Sequence, residues 1–228
     1  MTNKLLFFVL LALCFSGCDM LETHPYDVHI TGERELTNKN IQLIENKMQG
    51  KKTIRFAMIS DTQRWYNSTE DVVKALNARG DIDFVIHGGD QSDFGVTKEF
   101  IWMRDIFNKF QMPYVCLLGN HDCLGTGEDA YRAIYGDPNF AFTAGNVRFI
   151  CLNTNAMEYD YSEPVPDFNF IENELNNLSP EIEKTVFAMH VKPFEFVFNN
   201  NVAKSSNYTS TSSPKSSSVF TAMNTNSQ

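Results

Sequence analysis

Three short runs in this 228-residue chain carry most of its chemistry: Asp61-Thr62-Gln63, Gly89-Asp90-Gln91-Ser92-Asp93 and Gly119-Asn120-His121-Asp122. Each is rich in carboxylate, carboxamide or imidazole donors, the groups that hold divalent cations. An Asp after an apolar run is on its own an ordinary turn or helix-cap residue. Three such clusters in register describe a metal site assembled from separate parts of the chain.

Each cluster stands directly after an apolar, β-branched run, at residues 54–59, 82–86 and 114–118. Continuous runs of this kind suit strands buried on both faces of a parallel sheet, and open α/β sheets bind ligands at the carboxyl ends of their strands. Helical patterns lie between them. Ser68 is a candidate cap for a helix over 69–79 that buries Val72, Val73 and Leu76 and ends at Gly80. Thr97 is a candidate cap for a second helix with Phe100, Ile101, Ile106, Phe107 and Phe110 inward, stopped before Pro113. A short helix over 38–47, a strand over 147–152, a helix over 167–178 and a strand over 185–189 ending at His190 complete an α/β layered domain.

Over residues 55–194 the chain resembles the calcineurin-like metallophosphoesterases, whose ordered motifs read D-x-H, GDxxD or GDxxN, and GNHD or GNHE, followed by a His at the end of a later strand. The resemblance implies two sheets stacked face to face and flanked by helices, incomplete here at the C-terminus. It also implies two divalent cations (Mn, Mg, Fe or Zn) and hydrolysis of phosphomono- or phosphodiesters by a two-metal-activated hydroxide. Residue by residue, Asp90 takes the bridging position, Asp61 and Gln63 lie at the first metal, and Asn120 and His190 at the second. His121 corresponds to the His that stabilises the phosphoryl group or protonates the leaving oxygen, with Asp122 expected to orient its imidazole.

The chain departs from the pattern twice. Gln63 replaces a His ligand, and a neutral carboxamide favours manganese or magnesium over zinc or iron. The later GHxH motif is absent. Read one base early, the codons of residues 220–226 permit Tyr-Gly-His-Glu-His-Gln, so a frame displaced near Lys204 is the expected cause. The competing reading is a non-catalytic surface or binding lipoprotein that keeps the fold.

Residues 1–17 read as a signal peptide, with Lys4 ahead of an apolar run over 5–13. The small residues before Cys18 make it a candidate for lipidation, which places the protein across the inner membrane as a periplasmic or cell-surface lipoprotein anchored by lipid. Residues 18–52 are expected to be a tether and lead-in segment, 53–204 the catalytic domain and 205–228 a polar tail, disordered or frameshifted. Past the leader and Cys18, Cys116, Cys123 and Cys151 are no disulfide framework. The net charge of −9 argues against binding nucleic-acid phosphates. Of the remaining candidates, His87 is expected to be packed and hydrogen-bonded, His24 and His29 solvated, and Asp93 a support for its own loop. Trp65 and Tyr66 suit either a pocket edge or the core. The loop over 153–166 is either a pocket edge or a plain connection.

Overall fold

The computed structural model describes residues 24–155, 166–191 and 217–221. The leader, Cys18 and most of the loop and tail considered above lie outside the described residues. In chain order the elements are α1 (Leu36–Met48), β1 (Phe56–Ile59), α2 (Tyr66–Arg79), β2 (Phe84–His87), α3 (Thr97–Phe107) and β3 (Tyr114–Cys116). They continue with α4 (Gly127–Ile134), β4 (Phe140–Ala144), β5 (Val147–Leu152), α5 (Phe168–Asn176), β6 (Lys184–Met189) and β7 (Ser217–Thr221).

Strands β1, β2 and β3 form a parallel sheet in that order, and β4 to β7 form a second sheet in which only the β4–β5 hairpin is antiparallel. Because successive strand residues point to opposite faces, the first sheet serves two cores. Val85, Cys116 and Leu118 pack with Val73 of α2, Phe100 and Phe107 of α3 and Tyr131 of α4. The alternate residues Phe84, Ile86, Val115 and Leu117 meet Phe142, Phe149, Cys151, Val186 and Ala188 of the second sheet. On the outer face of that sheet Ile150, Leu152 and Met189 cover Ile171 of α5.

Aromatic rings fill the space between the sheets. Phe142 and Phe149 stack at 4.9 Å, and Phe84 meets them edge-on at 5.6 and 5.4 Å, the geometry that ring quadrupoles favour. The stacked-sheet sandwich flanked by helices expected from the sequence is therefore present, with Cys116 and Cys151 packed as small core residues.

The structure corrects several local expectations. Helix α2 begins at Tyr66, so Ser68 lies inside its first turn, while Gly80 ends it in the left-handed conformation at φ 67°. The N-terminus of α3 is capped by the Glu99 carboxylate, which accepts the N–H groups of Asp93, Phe94 and Val96. Thr97 instead donates its hydroxyl to the Asp27 carbonyl. Phe110 lies past the end of α3 and is partly buried against the same core. Residues of the lead-in segment are pinned across this helix: Ile30 is buried, and the buried Arg104 donates to the carbonyls of Thr31 and Glu33. His24 and His29 are exposed. Within the polar tail, β7 lies parallel to β6, Thr185 opposite Ser217.

Candidate metal centre

The clusters of Asp61, Asp90, Asn120 and His190 follow the carboxyl ends of β1, β2, β3 and β6, so one edge of the sandwich gathers donors from both sheets. Backbone hydrogen bonds lace the first two loops, Asp61 N–H to Gly89 O at 3.0 Å and Gln63 N–H to Asp90 O at 3.1 Å. Asp61 and Asp90 both turn sharply out of their strands, with φ of 57° and 61°. Asp is among the few residues that tolerate this left-handed region, and strained backbone of this kind clusters at functional sites.

The third loop approaches closely enough to require glycine. A Cβ on Gly119 would stand 2.1 Å from Asp90 N and 2.2 Å from Asp90 Oδ1. The backbone N–H of His121 donates to Asp90 Oδ1 at 3.0 Å.

One donor atom from each of Asp61, Asp90 and His190 lies within 4.8 Å of the other two. His190 Nδ1 is 2.8 Å from the Gly88 carbonyl and donates to it, which leaves Nε2 as the nitrogen directed at the other donors. That Nε2 stands 3.0 Å from Asn120 Oδ1 and 3.4 Å from Asp90 Oδ1. Burial pushes the imidazole pKa down, but the Asp90 hydrogen bond and charge, with help from Gly88 and Asp61, carry it up to about 9. Positive charge is thus favoured where these donors meet.

Three buried oxygens at the site, Asp61 Oδ1, Gln63 Oε1 and Asp90 Oδ2, have no hydrogen-bond partner among the described residues. Leaving such atoms unpaired costs about 1–3 kcal/mol each, more for a charged group. A divalent cation would satisfy them, and oxygen donors with one imidazole suit a hard to borderline ion. The residues present therefore fit the group.

Asp122 has a different place from the one expected. It is fully buried, and among the described residues its hydrogen bonds go to backbone rather than to the His121 ring: its two oxygens accept the N–H groups of Asp90, Gln91, Ser92 and Gly119 at 2.8 to 2.9 Å. Burial and the Asp90 charge push its carboxyl up to about 7, while the N–H groups of Ser92 and Gly119 pull it down. Asp122 is the staple that sets the second loop against the third.

The His121 imidazole is held by Asp93 instead. Its Nδ1 lies 2.9 Å from the Asp93 carbonyl and 3.6 Å from Asp93 Oδ1. Asp93 Oδ1 also meets Arg64 Nη2 at 3.0 Å. Both contacts were missing from the sequence reading; the i, i+3 spacing of Asp90 and Asp93 was the available signal for the first, and nothing flagged Arg64. Asn155 was missed as well: it is buried, donates to the Leu118 carbonyl at 2.7 Å, and leaves its own Oδ1 unpartnered.

His87 is packed as expected. It is buried against Phe107, its Nε2 lies 2.9 Å from Thr62 Oγ1, and its Nδ1 accepts the Gly89 N–H at 3.2 Å. Burial and the neighbouring His190 push its pKa down to about 3. Trp65 is 65% exposed, whereas Tyr66 is half-buried and meets the Trp102 ring edge-on at 5.7 Å.

The sequence profile of the calcineurin-like phosphoesterases matches residues 54–214. The chain belongs to this family, whose members hydrolyse phosphoester bonds with divalent metal ions. A 3',5'-cyclic-nucleotide phosphodiesterase of Nostoc sp. is 27% identical over 124 residues, which is 54% of this chain and 46% of that protein. The match thus spans about half the length of this curated relative. Among solved structures, a purple acid phosphatase from yellow lupin (Lupinus luteus) seeds is similar at a TM-score of 0.48 and 17% identity, over 62% of this chain and 31% of that one.

Proposed function

We propose that this protein hydrolyses phosphomono- or phosphodiesters at the edge where β1, β2, β3 and β6 end. The observation that carries the proposal is the meeting of Asp61, Asp90 and His190 donors, with unpartnered buried oxygens on Asp61, Gln63 and Asp90. Asp61, Gln63, Asp90, Asn120 and His190 would hold two divalent cations, manganese or magnesium by the preference of Gln63 for hard ions. Such ions polarise the phosphoryl oxygens and ionise an attacking water near neutral pH.

The chain's own groups supply the rest. His121 donates Nδ1–H to the Asp93 carbonyl, so Nε2 is the atom that exchanges a proton with the leaving oxygen. Asp93 keeps the ring from turning, holding Nδ1 through its carbonyl with its carboxylate alongside. Asp122 holds Asp90 and Gly119 at the spacing that the loops require.

The test is turnover of bis-p-nitrophenyl phosphate, p-nitrophenyl phosphate and a 3',5'-cyclic nucleotide by manganese-loaded protein, with Asp90→Ala as control. The cyclic nucleotide is included because the Nostoc relative bears that activity in its name. Hydrolysis that Asp90→Ala abolishes supports the reading. Metal-loaded wild type with no turnover leaves the non-catalytic binding lipoprotein. Sequencing the codons after Lys204 in all three frames tests whether a displaced frame removed the GHxH ligands.

Export and a lipid anchor on Cys18 belong to the same proposal, since the apolar run over 5–13 and the small residues before Cys18 support them. Cys18→Ala is expected to release the protein from the membrane fraction and to remove the acyl mass from its N-terminus.

A further inference from the structure

Arg64 directly follows Gln63, and its backbone is held at φ 69°, a conformation costly for a side chain of this kind. Its guanidinium touches the buried Asp93 carboxylate through Nη2 at 3.0 Å while the side chain stays 65% exposed. That one contact is the only ion pair or hydrogen bond its side chain makes among the described residues. A guanidinium carries five N–H donors in a planar fork, and with the side chain this exposed most of them are open to a further partner. Asp93 Oδ1 is shared, for it also lies 3.6 Å from His121 Nδ1. A surface ion pair with one exposed partner adds little stability, so strained backbone is poorly explained by the tie alone.

We propose that Arg64 is a phosphoryl-binding residue: pivoted on Asp93, its free donors grip a non-bridging oxygen of the substrate ester or of the phosphate product. The planar fork matches phosphate oxygens in a way a lysine ammonium does not. The same pivot places the gripped group next to His121, because both side chains rest on Asp93. This inference rests on the phosphoesterase reading above, and its test separates the two.

The experiment first measures manganese content of wild type, Arg64→Ala and Arg64→Lys by equilibrium dialysis, then titrates orthophosphate into each manganese-loaded protein by calorimetry. With manganese content unchanged, Arg64→Ala is expected to weaken orthophosphate binding roughly 10- to 100-fold, with Arg64→Lys in between. In turnover, KM for p-nitrophenyl phosphate rises with a smaller change in kcat. Equal orthophosphate affinity in wild type and Arg64→Ala overturns the inference while leaving the phosphoesterase reading intact. Wild type that retains no manganese overturns both.

Discussion

Asp122 Oδ2 accepts the backbone N–H of Asp90 at 2.9 Å, so one buried carboxylate fixes the loop that carries another. Asp122 binds three further backbone donors, on Gln91, Ser92 and Gly119. Its replacement by Ala strands four buried N–H groups, and the expected loss is about 3–5 kcal/mol of folding stability. Urea unfolding of the metal-free protein measures it. Asp122→Asn keeps the shape but turns one acceptor into a donor, and falls between wild type and Ala.

Asp93, not Asp122, governs the His121 ring. Asp93→Asn keeps the backbone carbonyl that receives Nδ1–H and removes the negative charge 3.6 Å away. The expected outcome is a fall in kcat of roughly 10- to 100-fold with manganese binding unchanged. An unchanged kcat would remove Asp93 from this role.

Gln63→His tests the choice of metal. An imidazole in place of the carboxamide is expected to raise zinc affinity about 10-fold or more relative to manganese. Chelator competition with zinc and with manganese decides it; equal ratios in both proteins would mean that Gln63 touches no metal.

His87 makes the metal-free protein acid-sensitive. It stays neutral in the folded state down to about pH 3, whereas its ordinary value is 6.5. Below pH 6.5 the unfolded chain therefore binds a proton that the folded chain refuses, so stability falls as the pH falls, by up to about 1.4 kcal/mol per pH unit. Guanidinium unfolding at pH 6.5 and 5.0 is expected to show a steeper loss for wild type than for His87→Gln.

Most of the candidate donors were legible because short-range chemistry writes them into the chain. An Asp or Asn after a β-branched run marks a strand end, and the runs before Asp61, Asp90 and Asn120 became β1, β2 and β3. The hairpin partner β4 and helix α4 were less legible. Phe140 to Ala144 alternates over only five residues, and Gly127 starts a helix with no side-chain cap. The start of α2 was misplaced because Ser68 is a good cap by type, yet Thr69 donates its hydroxyl to the Trp65 carbonyl and the helix begins earlier.

The sequence by itself determined the donors, their order and the buried runs that carry them to one edge, since residue type and a period of two are local properties. Only the tertiary structure decided which carboxylate serves which partner. Asp93 and Asp122 are both acids within the motifs, and no local rule distinguishes them. Asp122 reaches four backbone N–H groups because Gly119 lets the third loop close on Asp90, while Asp93 meets His121 and Arg64 from other loops. Those pairings depend on how separate strands lie against one another, which the packed aromatic core between the two sheets sets.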